Sequence, residues 1–563
     1  MMVSRLGPRG IAQDGTTSNG PYDWSGQIFP KLSSEIIERI SAYGERGSFD
    51  GGEYFYEAGD RGVDFFVILD GAVDILASDG RDGHVLITTH EAGQFTGELD
   101  HLTGRSVLVC AQATRRTTVL RVRETSFRRM VSAESDIGEI ILRAFILRRV
   151  DLVEHAEGGT VVVGAARSAD ALRIQSFLAR NGYPHRLLDI SRDPHAQQAL
   201  EIFHIGADTL PVVILNGQQV LARPSNRELA DALGITEELD PGHVYDVAVI
   251  GGGPAGLAAA VYASSEGLDT VVIEAVGPGG QAGSSSRIEN YLGFPTGISG
   301  QALAARAQVQ AQKFGARLAV ARAAVGLDCG GFPYRVDLGG KEVISARTIV
   351  VATGARYRRL DLPNLERFEG QGVHYAATSI EGGLCAGSEV MVVGGGNSAG
   401  QAAVFLSGRA RHVHILVRGE GLVETMSDYL VTRITESANI TLHPHCQITA
   451  LMGGSYLEAV RWRRGDGSET EKPVSNLFPM IGAVPNTGWL NGCVALDQNG
   501  FVRTEYFHDG QLGLARFVTS IPGIFAVGDV RAGSVKRVAA SVGEGSMVVH
   551  AIHNWLASRG GRR

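Results

Sequence analysis

Tyr245-Asp246-Val247-Ala248-Val249-Ile250 runs directly into Gly251-Gly252-Gly253-Pro254-Ala255-Gly256 and then into Leu257–Ser264. The first six residues are mostly apolar and of strand length; the last stretch is Ala-rich and favours helix. The turn between them has the spacing GxGxxG. The first glycine permits the tight turn, the second lets the backbone approach a pyrophosphate, and the third lets helix and strand pack closely. The helix N-terminus offers orphan N–H groups and the positive end of its dipole to phosphates. A second strand, Thr270–Ile273, ends in Glu274, 18 residues after Gly256. A carboxylate there can hold the ribose hydroxyls of an adenosine. Strand, glycines, helix, strand and acid in register predict a dinucleotide-binding α/β domain.

The pattern recurs about 140 residues later. The strand Val390–Val393 meets Gly394-Gly395-Gly396-Asn397-Ser398-Ala399, and the helix Gly400–Leu406 follows. The spacing is GxGxxA, and Ala399 packs almost as closely as glycine. The next strand, Val413–Val417, ends in Arg418 rather than an acid. A basic residue suits a 2′-phosphate, which favours NADPH; Glu420 nearby keeps NADH open. Two such sites in one chain imply two nucleotides brought together, and FAD with a nicotinamide is the natural pair. A third element agrees. Ser520–Asp529 reads as a strand ending in Gly528-Asp529, where a carboxylate can accept from a ribityl chain.

Outward from these turns, 563 residues at ~100–200 per domain suggest about three to four domains. Glycine numbers 74, about 13% against an average of ~7%. The glycines do not recur every third residue, which excludes collagen. The five cysteines contain no close pair, which excludes a disulfide scaffold and fits a reducing, cytoplasmic setting. A net charge of −8 does not favour a nucleic-acid partner. No apolar run approaches the ~18 residues of a membrane span, and residues 1–24 lack an apolar core and read as a flexible tail.

Several segments resemble bacterial thioredoxin reductase: Gly279-Gly280-Gln281, Ile288-Glu289-Asn290-Tyr291, Ala352-Thr353-Gly354, Ile481-Gly482 with Pro485-Asn486-Thr487, and Ala526-Val527-Gly528-Asp529. They fall in that family's order over about 315 residues. The resemblance implies an FAD domain in two pieces, 243–358 and 478–558, with an NADPH domain, 359–477, inserted between them. It also implies that Gln281 and Asn290 line the flavin, that Lys536-Arg537-Val538 sit at its pyrimidine end, and that the protein is a homodimer. One departure matters. Where that family carries a redox Cys-x-x-Cys, this chain reads Ala376-Ala377-Thr378-Ser379. A hydroxyl cannot relay electrons as a disulfide does.

Upstream, residues 158–236 alternate strands and helices. They resemble a glutaredoxin-like thioredoxin fold, with Thr209-Leu210-Pro211 in the place of its cis-proline turn. The expected redox position reads Gly164-Ala165-Ala166-Arg167-Ser168, again without cysteine. Residues 25–153 read as short antiparallel strands with flanking helices and resemble a cyclic-nucleotide-binding domain. Glu57-Ala58-Gly59-Asp60 and Gly97-Glu98-Leu99 carry that resemblance, which makes Glu98 a candidate for a ribose hydroxyl and Arg105-Ser106 candidates for a cyclic phosphate. The fold class is therefore multidomain: a β-barrel, a thioredoxin-like α/β unit, and two Rossmann-like domains, one inside the other. Two functions remain. One is an NADPH-dependent flavoenzyme with an unassigned electron acceptor. The other is a regulatory flavoprotein that senses a nucleotide or redox state with little turnover.

Overall fold

The strand β5, Val244–Ile250, is buried from Val247 onward because the sheet it centres is covered on both faces, which selects a continuous apolar run over an alternating one. In this computed structural model, residues 28–78, 83–97, 100–154, 160–215, 219–505 and 515–559 are described. The N-terminal tail, Glu98, Leu99 and the last four residues lie outside them.

By backbone contacts the chain divides into two units. The first comprises Met1–Val163, Gly182–Leu188 and His195–Glu237. Its N-terminal part holds two four-stranded antiparallel sheets between Glu45 and Val122, followed by the helix Ser135–Glu154. Phe66, Ile68, Val73 and Val119 are among the side chains that fill the barrel interior. The same unit holds most of a four-stranded sheet. Its strands are β1 (Thr160–Gly164), β2 (Arg186–Asp189), β3 (Val212–Leu215) and β4 (Gln219–Ala222), in the order β2-β1-β3-β4. β3 is buried along its whole length. The Leu210–Pro211 bond is cis, as the resemblance implied. The helix Pro194–Ile202 and the strand β4 were not anticipated.

The second unit comprises Gly164–Asn181, Asp189–Pro194 and Glu238–Arg563. It contains the helix α1, Ala169–Arg180, and the seven-stranded sheet built on β5. β6 (Thr270–Glu274) and β7 (Arg317–Val320) extend that sheet in parallel on one side. β10 (Val343–Val351) lies on the other side. The antiparallel strands β8 (Gly326–Asp328) and β9 (Tyr334–Asp337) follow it. β15 (Ile524–Ala526), from nearly 180 residues downstream, pairs in parallel with β10. The helix α2, Pro254–Ser265, starts with proline at its first turn, where the missing N–H costs nothing. It is covered by the C-terminal helix α5, Val538–Ser558. A side chain at Gly545 would stand 2.2 Å from the Ala255 carbonyl oxygen, so the two helices pack backbone to backbone.

Inserted between β10 and β15 is a second, all-parallel sheet of β11 (Glu389–Val393), β12 (His412–Leu416), β13 (Ile440–His443) and β14 (Asn476–Pro479), in the order β13-β12-β11-β14. Its glycine turn leads into the helix α4, Asn397–Ser407, and a short helix α3, Ser379–Leu384, precedes β11. Cys329 and Cys493 form a disulfide with Cα atoms 6.0 Å apart, which corrects the expectation that the five cysteines stay reduced: residues 164 apart in the chain are brought together by the fold. The end of β8 and the turn after Gly488–Leu490 converge on one edge of the same core. Among the described residues no helix is long and apolar enough to cross a membrane.

Candidate functional site

The two glycine turns open on one cavity of about 1950 Å³. Pockets for a single small ligand run ~300–1,000 Å³, so two dinucleotides can share it. At the first turn Gly251 has φ +111°, and a side chain there would stand 2.4 Å from the Ala352 carbonyl oxygen. Gly256 lies behind the wall, where a Cβ would meet the Gly251 carbonyl oxygen at 1.9 Å. Gly253 is different: only the Gly280 Cα comes within 4 Å of an added Cβ, at 3.8 Å. Its open side is the cavity, which it lines with Pro254 and Ala255. Glu274 is 9% exposed at the end of β6. Its carboxylate accepts from the amides of Gly252 at 2.7 Å, Val276 at 2.9 Å and Gly277 at 3.2 Å, which fixes the turn and leaves the acid on the cavity wall.

Gly280, Gln281, Asn290, Ala352, Thr353 and Gly354 continue the same wall. The Gln281 amide donates to the Ala355 carbonyl. Beyond β15, the buried Gly528 amide donates to Glu544 at 2.7 Å, which holds Asp529 toward the cavity. Asp529 Oδ1 is buried without a hydrogen-bond partner, and burial raises its carboxyl above the usual range. Lys536 donates from Nζ to the Asp529 carbonyl at 2.5 Å, and burial lowers its ammonium. Lys536, Arg537 and Val538 close this end. An orphaned carboxylate oxygen over a glycine cradle fits the ribityl hydroxyls and pyrophosphate of FAD.

At the second turn Gly394 has φ +136°, and a Cβ would stand 2.2 Å from the Met480 carbonyl oxygen. Gly396 has nothing within 4 Å of an added side chain and faces the cavity with Asn397 and Ser398. Ala399 is fully buried behind it. Asn397 accepts from the Ser427 amide at 2.7 Å, and Thr425 donates to the Gly395 carbonyl at 2.8 Å, so the turn is braced from one side. Arg418 lines the rim beside Glu420 and Glu424.

The two positions that the resemblance gave to a dithiol separate. Ala376 is on the cavity wall, while Ser379 is exposed at the start of α3. Thr378 and Glu381 form a capping box there, so the hydroxyl and carboxylate are committed to the helix. Cys385 ends the helix fully buried, and burial pushes its thiol up to about 12. The three free cysteines, Cys110, Cys385 and Cys446, are all buried. No group of three or more His, Cys, Asp or Glu among the described residues could hold a metal ion.

In the N-terminal part, Gly97 has φ +140° and its carbonyl accepts from Arg148 at 3.3 Å. Arg105 is buried, and Ser106 accepts from Arg61 at 3.3 Å and lines a cavity of about 190 Å³.

Sequence reading named Thr353 and Asn486 but missed their pairing, and it missed two contributors, Arg322 and one face of α1. Asn486 and Thr353 exchange two hydrogen bonds under the cavity, at 2.9 and 2.7 Å. The buried Arg322, paired with Glu342 at 3.0 Å, lines it too. So does one face of α1. None belongs to a glycine pattern; only the amphipathic period of α1 carried a signal.

The family described as pyridine nucleotide-disulphide oxidoreductase matches residues 245–545, and that described as cyclic nucleotide-binding domain matches residues 46–134. The NADPH-dependent thioredoxin reductase 3 of Arabidopsis thaliana is 34% identical over 324 residues, 56% of this chain and 59% of that protein. The chain thus spans less than two thirds of that relative. The thioredoxin reductase of Mycoplasmopsis pulmonis is 31% identical over 54% of this chain and 95% of its own. The thioredoxin reductase of Lactococcus lactis, in its FR conformation, superposes with a TM-score of 0.52 at 27% identity, covering 56% of this chain and 99% of that one. FAD and NADPH, read from the two turns, fit these matches.

Proposed function

The chain belongs to the pyridine nucleotide-disulphide oxidoreductase family, and from that premise we propose an FAD-dependent oxidoreductase that consumes NADPH and does not reduce its acceptor through a dithiol of its own. The observation that carries this reading is the single cavity reached by both glycine turns, with Ala376 in its wall. FAD, when bound, would supply hydride-accepting and electron-transferring chemistry between NADPH and the acceptor. The chain's residues bind and orient. Gly253 and the first turn of α2 receive the pyrophosphate, Glu274 the adenosine ribose, and Asp529 the ribityl chain. Gln281, Asn290 and Lys536–Val538 border the ring. Gly396, Asn397, Ser398 and Arg418 hold NADPH. Ala376 presents a methyl group where a thiol would take electrons, so the acceptor meets the flavin directly. The acceptor classes are a quinone, oxygen, an iron–sulfur or flavin protein, and a disulfide protein reached by another route. A homodimer accompanies this reading.

A cyclic nucleotide at Arg105 and Ser106, supported by the match over residues 46–134, is a regulator of this activity. A second reading, a regulatory flavoprotein with little turnover, is favoured by the absence of cysteine at Ser168, Ala376 and Ser379 alike. Steady-state oxidation of NADPH and NADH against thioredoxin, ferredoxin, quinone and oxygen separates the two. Brisk turnover with one acceptor supports the enzyme and removes the sensor. Protein that stays colourless after FAD reconstitution overturns both.

A further inference from the structure

The helix α1 precedes the first glycine turn by more than 70 residues, yet residues 164–181 group by backbone contacts with the dinucleotide-binding unit. Ala169, Leu172, Arg173, Ser176 and Arg180 line the cavity. Their spacings of three, one, three and four place them on a single stripe of an α-helix. On the other side, Ala171, Ile174, Phe177 and Leu178 are fully buried. The polar face of this amphipathic helix is thus part of a ligand cavity.

The helix is held at both ends. At its C-terminus Asn181 donates from Nδ2 to the Val276 carbonyl at 3.0 Å. A side chain at Gly277 would start 3.1 Å from Arg180 Cβ, so the helix lies directly on that segment. Val276 and Gly277 are the residues whose amides Glu274 holds. Gln301 adds a hydrogen bond to the Ala179 carbonyl. At the other end Ala169 lies against Gly370, where an added Cβ would meet it at 2.8 Å, and the helix packs on α3.

Charge gives this contact a purpose. Glu274 brings a negative charge to the end of the cavity where the adenosine belongs. A dianionic pyrophosphate beside it has the dipole of α2 and otherwise needs cations. Arginine is suited to this because its planar fork matches phosphate oxygens.

We propose that α1 is a built-in wall of the FAD site, with Arg173, Ser176 and Arg180 contacting the pyrophosphate–adenosine half of the nucleotide. This helix is thereby a cofactor-retaining element. This rests on the assignment of FAD to the first glycine turn.

The test titrates full-length apoprotein with FAD and with FMN, which lacks the adenosine monophosphate half, and follows flavin fluorescence. R173A/R180A is expected to weaken FAD at least about tenfold, the loss of one or two charge-assisted hydrogen bonds, with FMN, which keeps only one of the two phosphates, weakened less. R180A alone, and R192A outside the cavity wall as control, separate binding from folding as read by circular dichroism. R180A is expected to fall between wild type and the double variant, and R192A to match wild type. Wild type that binds FAD while both Arg180 variants bind it equally tightly overturns the inference and leaves the FAD assignment standing. An equal loss for FMN, or weaker NADPH binding with FAD unaffected, overturns it as well. Wild type that binds no flavin overturns the FAD assignment itself.

Discussion

Arg531 and Glu544 form an ion pair inside the protein, their side chains 7% and 8% exposed and 2.5 Å apart. Glu544 also accepts from the Gly528 amide at 2.7 Å, so one carboxylate on α5 holds both the charge and the turn that carries Asp529. Removing one partner of a buried pair leaves the other uncompensated, at a cost of about 3–5 kcal/mol. E544A is expected to lower the free energy of unfolding, read from urea melts, by an amount in that range and to lose FAD on gel filtration. E544Q keeps an acceptor for Gly528 and is expected to lose less. Equal midpoints for E544A and wild type would remove the pair from the account of how Asp529 is placed.

Gly251 and Gly253, two residues apart, should respond oppositely to substitution. G253V meets no protein atom closer than the Gly280 Cα near its Cβ, so the apoprotein should melt like wild type while FAD retention is abolished. G251A forces a Cβ to 2.4 Å from a carbonyl oxygen at φ +111° and is expected to destabilise the apoprotein itself. Thermal melts with and without FAD read both. A yellow G253V protein would disprove the pocket.

Acid should weaken the inserted half in two stages. His443 is held neutral, its pKa lowered to about 4 by burial and by the nearby His414, against an ordinary value of 6.5. The unfolded chain takes up protons there before the folded chain does. Stability present above pH 6.5 is therefore lost as the pH falls toward about 4. Glu389, hydrogen-bonded to Lys472 and His414, is held down to about 2, so its contribution is lost only below the ordinary 4.5. Melting temperature between pH 8 and 4 should fall for wild type and fall less for H443Q.

Cys385 should be chemically silent. A buried thiol whose pKa stands at about 12 has almost no thiolate near neutral pH. Iodoacetamide at pH 7.5 is expected to leave it unmodified in native protein and to label it in urea, as read by peptide mass. C385A should oxidise NADPH at the wild-type rate; a fall of tenfold or more would make this thiol part of the electron path.

The glycine turns were legible in sequence because their roles are local. A tight turn, a close backbone approach and an acid at the next strand end all lie within 30 residues of Tyr245. The cis Leu210–Pro211 bond was legible only through the resemblance carried by Thr209-Leu210-Pro211. What was not legible depends on tertiary convergence. Arg531 and Glu544 look like ordinary surface charges until α5 closes on α2. Asn486 joins Thr353 across 133 residues. Arg173 and Arg180 follow a helical period that any solvated face would show, and nothing local distinguishes a cavity wall from solvent.

The cystine joining Cys329 to Cys493 has a topological consequence. Every residue of the inserted half, from β11 to β14, lies between its two ends in the chain. That half is therefore a covalently closed ring rather than a simple insertion. A protease cut anywhere between the two sulfurs would leave both fragments joined and running as one species on a gel until reductant parts them. The integrity of the flavin-side scaffold is thus separated from the integrity of the peptide backbone that interrupts it.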